Sequence, residues 1–235
     1  MGDLLVLLGV PRRGTPQGSV FLTPGLATQL AAVLAIRGDW LGREELVALL
    51  WPDAPSSRGR HNLSQLLYAM RRTAWGHDVE TETTRVRWSV RCDVAEFRRA
   101  VSTGAWPRAT DLYAGELLEG TRETASPLLD TWLRGERDDL HASWRHVLLR
   151  HAATHADAGR WPESARLLRR LLVSDGLLEE AVRALMRSEA HLGHRDAALQ
   201  VYDTFRTRLQ QELALEPLEA TAALAAAIRR GELDT

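Results

Sequence analysis

The chain has 235 residues, of which 45% are hydrophobic, with eight Trp, one Cys and a formal net charge of −1. That length and apolar content suffice for two packed domains or one elongated one, and the lone cysteine, Cys92, excludes an intrachain disulfide framework or a cysteine zinc cluster and fits a reducing, cytoplasmic setting. No segment approaches the roughly 18–20 apolar residues of a membrane helix, and Leu4–Val10, preceded by Asp3 and followed by no cleavage site, is not a signal peptide.

From the N-terminus, Leu4–Val10 and Val20–Leu22 read as strands separated by a Pro/Arg/Gly/Gln loop. Thr23-Pro24 opens a first helix, as N-cap and first-turn proline, which runs to Ile36 and stops at Gly38-Asp39. Gly42-Arg43-Glu44-Glu45 opens a second helix to Leu50, with acids in the first turn where the helix dipole favours them. Trp51-Pro52 and a Pro/Ser/Gly turn end it.

A third helix, residues 57–73, has two unlike faces. At about 100° per residue, Leu63, Leu66, Leu67 and Met70 gather on one side. His61, Gln65, Tyr68 and Arg72 lie opposite, Ser64 and Asn62 sit on the flanks, and Arg58, Arg60 and Arg71 surround them. No acidic residue occurs between Asp53 and Asp78. An ordinary solvated helix explains the amphipathicity, but such a face is commonly a Glu/Lys mixture. Hydrogen-bonding side chains with arginines and no acids suit a helix entering the major groove of DNA, where phosphates repel carboxylates.

Val79–Thr81 and Val86–Val90 alternate as a hairpin joined through Thr83-Thr84, with Arg85 and Arg87 alongside. Strands, three helices and a basic hairpin make a winged helix-turn-helix over residues 1–92. Its charge agrees: residues 1–92 hold 11 Arg and 8 acidic residues, a net of +3, whereas 93–235 hold 19 Arg and 23 acidic residues, a net of −4. The chain has no lysine, which reflects coding bias more than chemistry, although Arg suits bidentate contacts to guanine and phosphate.

Asp93-Val94-Ala95-Glu96 resembles a capping box and marks the start of a second domain, residues 93–235. Beyond it the pattern is helical: 93 to Gly104, a short piece from Trp106 to Tyr113, a Gly-containing connection from Ala114 to Ser126, and a long helix capped by Ser126-Pro127 towards Ala158. Gly159 and Gly193 then stand 34 residues apart, and at the same offset Leu167 matches Val201, Leu168 matches Tyr202 and Leu171 matches Phe205. That is tetratricopeptide spacing. Two such repeats bury little alone, so the preceding helix and Pro217–Arg230 are expected to cap the stack.

Other constellations carry no chemistry. His151 and His155 share a helix face but lack the glutamate of a metalloprotease motif, so packing or solvation explains them and no metal site is expected. Cys92 reads as a small apolar filler. Trp106, Trp132, Trp144 and Trp161 read as core rather than a ligand cage. No phosphate loop, dinucleotide fingerprint or supported Ser/His/Asp set occurs, so neither an enzyme nor a cofactor is expected.

The blocks LVALLWPD (46–53), Asn62–Arg72 ending in Met70-Arg71-Arg72, LYAGELLEG (112–120), WLRGERDDL (132–140), LEEAVRALM (178–186) and 199–224 occur in one order. In that order the chain resembles the bacterial transcriptional activator domain family of the antibiotic regulatory protein type. The resemblance implies an OmpR-type winged helix joined to a tetratricopeptide-like domain, in the short form without an ATPase segment. It departs from the family at Asp175-Gly176, where Asp-Pro is usual, and at Ala214, where Gly is usual. It departs also in the wing, where Arg85-Val86-Arg87-Trp88 replaces a Gly-aromatic step. The resemblance further implies direct-repeat DNA sites, cooperative pairs or homodimers of protomers, contact with RNA polymerase, and a nucleoid location in the cytoplasm.

The expected function is therefore a DNA-binding transcriptional regulator, an activator by resemblance. His61, Gln65 and Tyr68 would face base edges with Asn62 and Ser64 on the rim. Arg58, Arg60, Arg71 and Arg72 would meet phosphates, or any one of them a guanine instead, and Arg85 and Arg87 would hold the flanking backbone. The alternative is a tetratricopeptide-type protein-interaction scaffold whose winged helix no longer binds DNA.

Overall fold

The computed structural model describes residues 3–15, 18–121 and 126–232. Strands β1 (Leu4–Val6), β2 (Arg12–Thr15) and β3 (Gly18–Phe21) form an antiparallel meander, and β7 (Arg91–Cys92) runs parallel to β1, giving the order β3-β2-β1-β7. The first strand is shorter than its apolar run. Past Val6 the chain keeps Leu7 and Leu8 fully buried, and Leu8 makes only an isolated bridge to Leu117.

Strand β2 lies where composition indicates a loop, part of which (residues 16 and 17) falls outside the described residues. Arg13 at its centre is 2% exposed because its donors are all taken. Asp3 accepts at 2.7 Å, Asp78 at 2.8 Å and the Trp75 carbonyl at 2.5 Å, and the guanidinium also lies 5.5 Å from the Trp88 ring centroid. A cation that would oppose burial thus becomes a core residue.

Helix α1 (Leu26–Arg37) starts later than Thr23-Pro24 suggests. The Thr23 hydroxyl does not cap it; instead the Thr23 carbonyl accepts from the Thr28 hydroxyl at 2.6 Å. Gly38, at φ 69°, closes α1 with its N–H on the Leu34 carbonyl. β4 (Leu41–Gly42), α2 (Arg43–Leu50) and α3 (Ser56–Arg71) follow, with Glu44 and Glu45 in the first turn of α2. The hairpin consists of β5 (Glu80–Thr81) and β6 (Arg85–Arg87), and β4 pairs with β6 as a third strand.

Helices α4 (Asp93–Ser102) and α5 (Trp106–Leu112) come next, and α6 (Pro127–Asp157) follows. The capping box at Asp93 is not formed. The Asp93 carboxylate is buried and accepts from the backbone N–H groups of Leu7 and Leu8, each at 2.9 Å, while Glu96 pairs with Arg91 and Arg108. Burial pushes the Asp93 carboxyl above its ordinary range despite these donors. At α6 the predicted cap holds: Ser126 Oγ accepts from Leu129 N–H at 3.3 Å and donates to the Leu49 carbonyl at 2.5 Å. Residues 122–125 of the preceding connection lie outside the described residues.

The chain divides into two compact units, Met1–Trp144 and Arg145–Thr235, with the boundary inside α6. Asp93 therefore lies within the first unit. Of the four tryptophans read as core, Trp144 is buried and stacks on Tyr113 with centroids 5.2 Å apart; Trp106, Trp132 and Trp161 are half-buried.

The second unit contains the end of α6 with α7 (Trp161–Ser174), α8 (Glu179–His191), α9 (Arg195–Leu213) and α10 (Glu219–Arg230). Leu167, Leu168 and Leu171 are buried, as are Tyr202 and Phe205 one period later. Ala225 and Ile228 of α10 join Val182, Met186, Tyr202, Phe205 and Leu209 in one apolar cluster, so the last helix does cover the stack. The 34-residue period extends to the turns. Gly159 and Gly193 take φ of 69° and 78°, and Arg160 N–H and His194 N–H each donate at 2.9 Å to the carbonyl five residues back. The side chains repeat the pattern: Arg160 Nε donates to His155 Nδ1 at 2.9 Å, and His194 Nδ1 lies 3.1 Å from Glu189 Oε2.

Candidate nucleic-acid interface

The turn between α2 and α3 fixes how closely the two helices approach. Trp51 N–H bonds the Val47 carbonyl at 2.8 Å to end α2, and Gly59 N–H bonds the Pro55 carbonyl at 2.9 Å to begin α3. Gly59 is buried against Val47, and a Cβ there would overlap the Val47 Cγ1 methyl. A glycine is required by contact rather than by backbone angle. With Leu63, Leu67 and Met70 buried and Leu66 half-buried, the apolar side of α3 packs as its periodicity predicts.

The opposite side is exposed: Arg58, Arg60, His61, Ser64, Gln65, Tyr68, Arg71 and Arg72 all face water, and Asn62 is half-buried. Tyr68 remains 60% exposed, an aromatic ring left unpacked. Arg72 Nη1 donates to its hydroxyl at 3.0 Å, with the guanidinium 5.6 Å from the ring centroid, so the two side chains form one preset group. Beside them a cleft of about 490 Å³ is lined by Arg43, Ser64, Tyr68, Arg71, Arg72 and His77, with Leu67 and Thr81 completing it. Among the described residues no carboxylate forms an ion pair with Arg43, Arg58, Arg71 or Arg72. The cleft is concave, cationic and built from α2, α3 and the hairpin base.

Not every arginine of the region is so available. Arg60 Nε lies 3.1 Å from Glu44. Ser64 Oγ donates to the Arg60 carbonyl at 2.9 Å and accepts from Arg43 Nη2 at 2.8 Å, so its hydroxyl orients Arg43. Asn62 and Arg58 line a separate groove with Leu26, Trp51 and Pro55 on the other flank of α3. In the wing, Arg85 pairs with Glu82 and Arg87 with Glu80, both at 2.7 Å, and their guanidinium carbons lie 4.5 and 4.7 Å from the Trp40 ring centroid. Hydrogen bonds donated to Glu82 and Glu80 hold Arg85 and Arg87 still more firmly charged than usual.

Sequence reasoning missed Arg43, Trp40, His77 and Thr81. The acids after Arg43 made it look like an ordinary first-turn residue, and nothing in the spacing pairs it with Ser64, 21 positions on. The buried Arg13 node supports the same region, because Trp75 and Asp78 belong to the connection between α3 and β5 that carries His77. Trp88 Nε1 adds a third bond to Asp78 at 2.9 Å. These donors hold the Asp78 carboxyl below its ordinary range even though burial alone would raise it. Cys92 is buried and its thiol is pushed up to about 12, chiefly by desolvation, which leaves it inert at neutral pH. His151 and His155 approach at 3.2 Å between their Nε2 atoms, but among the described residues no three His, Cys, Asp or Glu side chains gather as metal ligands.

A glycine-set helix-turn-helix, a three-stranded wing and a following stack of paired helices define a winged helix-turn-helix protein with a tetratricopeptide-like unit. Residues 92–229, more than half of the chain, match the family model of the bacterial transcriptional activator domain, and the chain belongs to that family. It is a family of transcriptional regulators and not a class of enzymes. The fold is similar to that of Mycobacterium tuberculosis EmbR, solved in complex with a low-affinity phosphopeptide, at a TM-score of 0.66 and 17% identity. The match covers 99% of this chain and 66% of the EmbR chain, so this chain spans just under two thirds of that protein's length. Comparison with curated protein sequences gave no significant match. No described helix is long and apolar enough to cross a membrane.

Proposed function

We propose that the protein is a sequence-specific DNA-binding regulator of transcription, acting as an activator, with α3 in the major groove. The observation that carries this reading is the cationic cleft beside an exposed helix face that has no acidic residue. His61, Gln65 and Tyr68 read base edges, and Arg72 sets the Tyr68 ring. Arg43, Arg58, Arg71 and Arg72 meet phosphates. Ser64 acts through Arg43, Asn62 sits at the flank, and Arg60, Arg85 and Arg87 contribute once they leave their carboxylates. We put the functional division at residues 92/93, next to the start of the family match at residue 92. By analogy with the family, protomers bind DNA as a homodimer or cooperative pair and contact RNA polymerase through the helical domain, in the cytoplasm on the nucleoid.

The test is binding to duplex DNA across salt. Four phosphate contacts imply that affinity falls about 100-fold between about 50 and 200 mM salt. Absence of binding at the lower salt overturns the reading and favours the interaction-scaffold alternative, which the paired wing arginines would suit.

A further inference from the structure

The second unit has a groove unlike the DNA-facing cleft. It is a cavity of about 440 Å³ between the end of α6, the start of α7 and one face of α8. Its floor is short: Ala152, Ala153, Ala156 and Ala184 leave room that larger side chains would fill. Two buried serines, Ser164 and Ser188, lie at its base with their hydroxyls 3.2 Å apart. Trp161 stacked on His191, with centroids 3.9 Å apart and planes within 6°, forms a rigid wall.

Three arginines line this groove, Arg150 from α6 and Arg183 and Arg187 from α8, against Asp157 and Glu180. Arg183 is preset: its Nη1 donates to the buried Thr221 hydroxyl at 2.9 Å and lies 3.9 Å from Glu179 Oε1, a long ion pair that an incoming carboxylate would share. Arg150 and Arg187 are exposed and, among the described residues, pair with no carboxylate, although neighbours such as Arg145, Arg169 and Arg208 all do. Two cations kept out of ion pairs over an alanine floor leave a surplus that an anionic partner neutralises.

We infer that this groove binds an acidic peptide segment of a partner protein, with carboxylates on Arg183 and Arg187 and small side chains on the alanine floor. The spacing defines the ligand further. Arg183 and Arg187 are one helical turn apart, about 6 Å along the axis. An extended chain advances about 6.7 Å over two residues, so an acid–any–acid step in a strand-like peptide meets both. Arg150, on the facing helix, takes a third carboxylate. The inference does not rest on DNA binding.

A fluorescently labelled dodecapeptide of alternating Glu and Ala, followed by anisotropy with the full chain, tests it. The peptide binds, and the same peptide with Gln for Glu binds at least about tenfold more weakly, since charge-assisted bonds to Arg exceed neutral ones. Arg150→Glu with Arg187→Glu abolishes binding of the Glu peptide and gains binding of an alternating Lys/Ala peptide, with helix content unchanged by circular dichroism. Arg43→Ala with Arg72→Ala leaves Glu-peptide binding intact. Equal binding of the Gln peptide, survival in the charge-reversed variant, or loss in the Arg43/Arg72 variant overturns the inference, the last by assigning the peptide to the DNA cleft. No binding at millimolar peptide overturns it as well.

Discussion

Arg43 Nη2 donates to Ser64 Oγ at 2.8 Å, joining the first turn of α2 to the middle of α3. The bond aims a guanidinium into the cleft that Tyr68 and Arg72 bound on the other side. Arg43→Ala is expected to weaken binding to all DNA sequences alike and to lower the salt slope by about one. Ser64→Ala removes only the orienting bond and should give a smaller loss with an unchanged slope. Gln65→Ala should instead relax preference at a single base position, read by competition among single-base variants of a selected site.

The wing makes the opposite prediction. Glu80 and Glu82 neutralise Arg87 and Arg85 within the hairpin. Glu80→Gln combined with Glu82→Gln should tighten binding to random duplex and steepen its salt dependence by up to about two further phosphate contacts. Unchanged affinity in that variant would mean that the wing does not reach DNA.

Gly59 offers a test of the helix-turn-helix itself. An added methyl meets Val47 Cγ1, a branched side chain that cannot swing away. Gly59→Ala should cost about 1–3 kcal/mol, as overpacking does, seen as a lower melting temperature. Gly59→Ala combined with Val47→Ala should recover part of the loss.

Acid stability should report the Arg13 node. Asp3 and Asp78 are both held below the ordinary carboxylate range, Asp3 chiefly by its hydrogen bond from Arg13. A depressed folded value means that the stabilisation is present above the unfolded value and disappears as pH falls through the folded one. The loss therefore lies below about pH 4. Asp93, shifted the other way by burial, loses its penalty as pH falls from its raised folded value towards about pH 4, before the loss at the Arg13 node begins. Asp78→Asn should lower stability at neutral pH and flatten the acid limb of a urea-midpoint-versus-pH curve.

Ala214 ends α9 at φ 55°, in the left-handed region that an alanine side chain resists. Ala214→Gly should relieve about 1 kcal/mol of this strain, against a smaller entropic cost of the added glycine. A raised melting temperature with unchanged DNA binding is the expected result.

Much of this was legible in the sequence because it follows from periodicity. The two faces of α3, the Ser126 cap and the 34-residue match of Leu171 with Phe205 depend on residues close in the chain or in regular register. Arg13 was not legible, since its burial depends on Asp78, 65 positions away, and a polar tetrad gives no strand signal. Asp93 failed for the same reason: its short-range cap competed with Leu7 and Leu8 amides brought by the parallel pairing of β1 and β7. The candidate site was half visible. Its α3 residues followed from the helix, whereas Arg43 and the locked state of Arg85 and Arg87 required knowing which acids and rings stand beside them.

The turns after α6 and α8 use one geometry with different side chains in the same roles: Arg160 gives to His155, and His194 gives to Glu189. Each such corner is self-contained, carrying its own glycine and its own stapling pair inside six residues. A third period of 34 residues spliced between Gly159 and Gly193 would therefore arrive with its corner already specified. The stack is in that sense a modular part, one that lengthening would extend rather than disrupt.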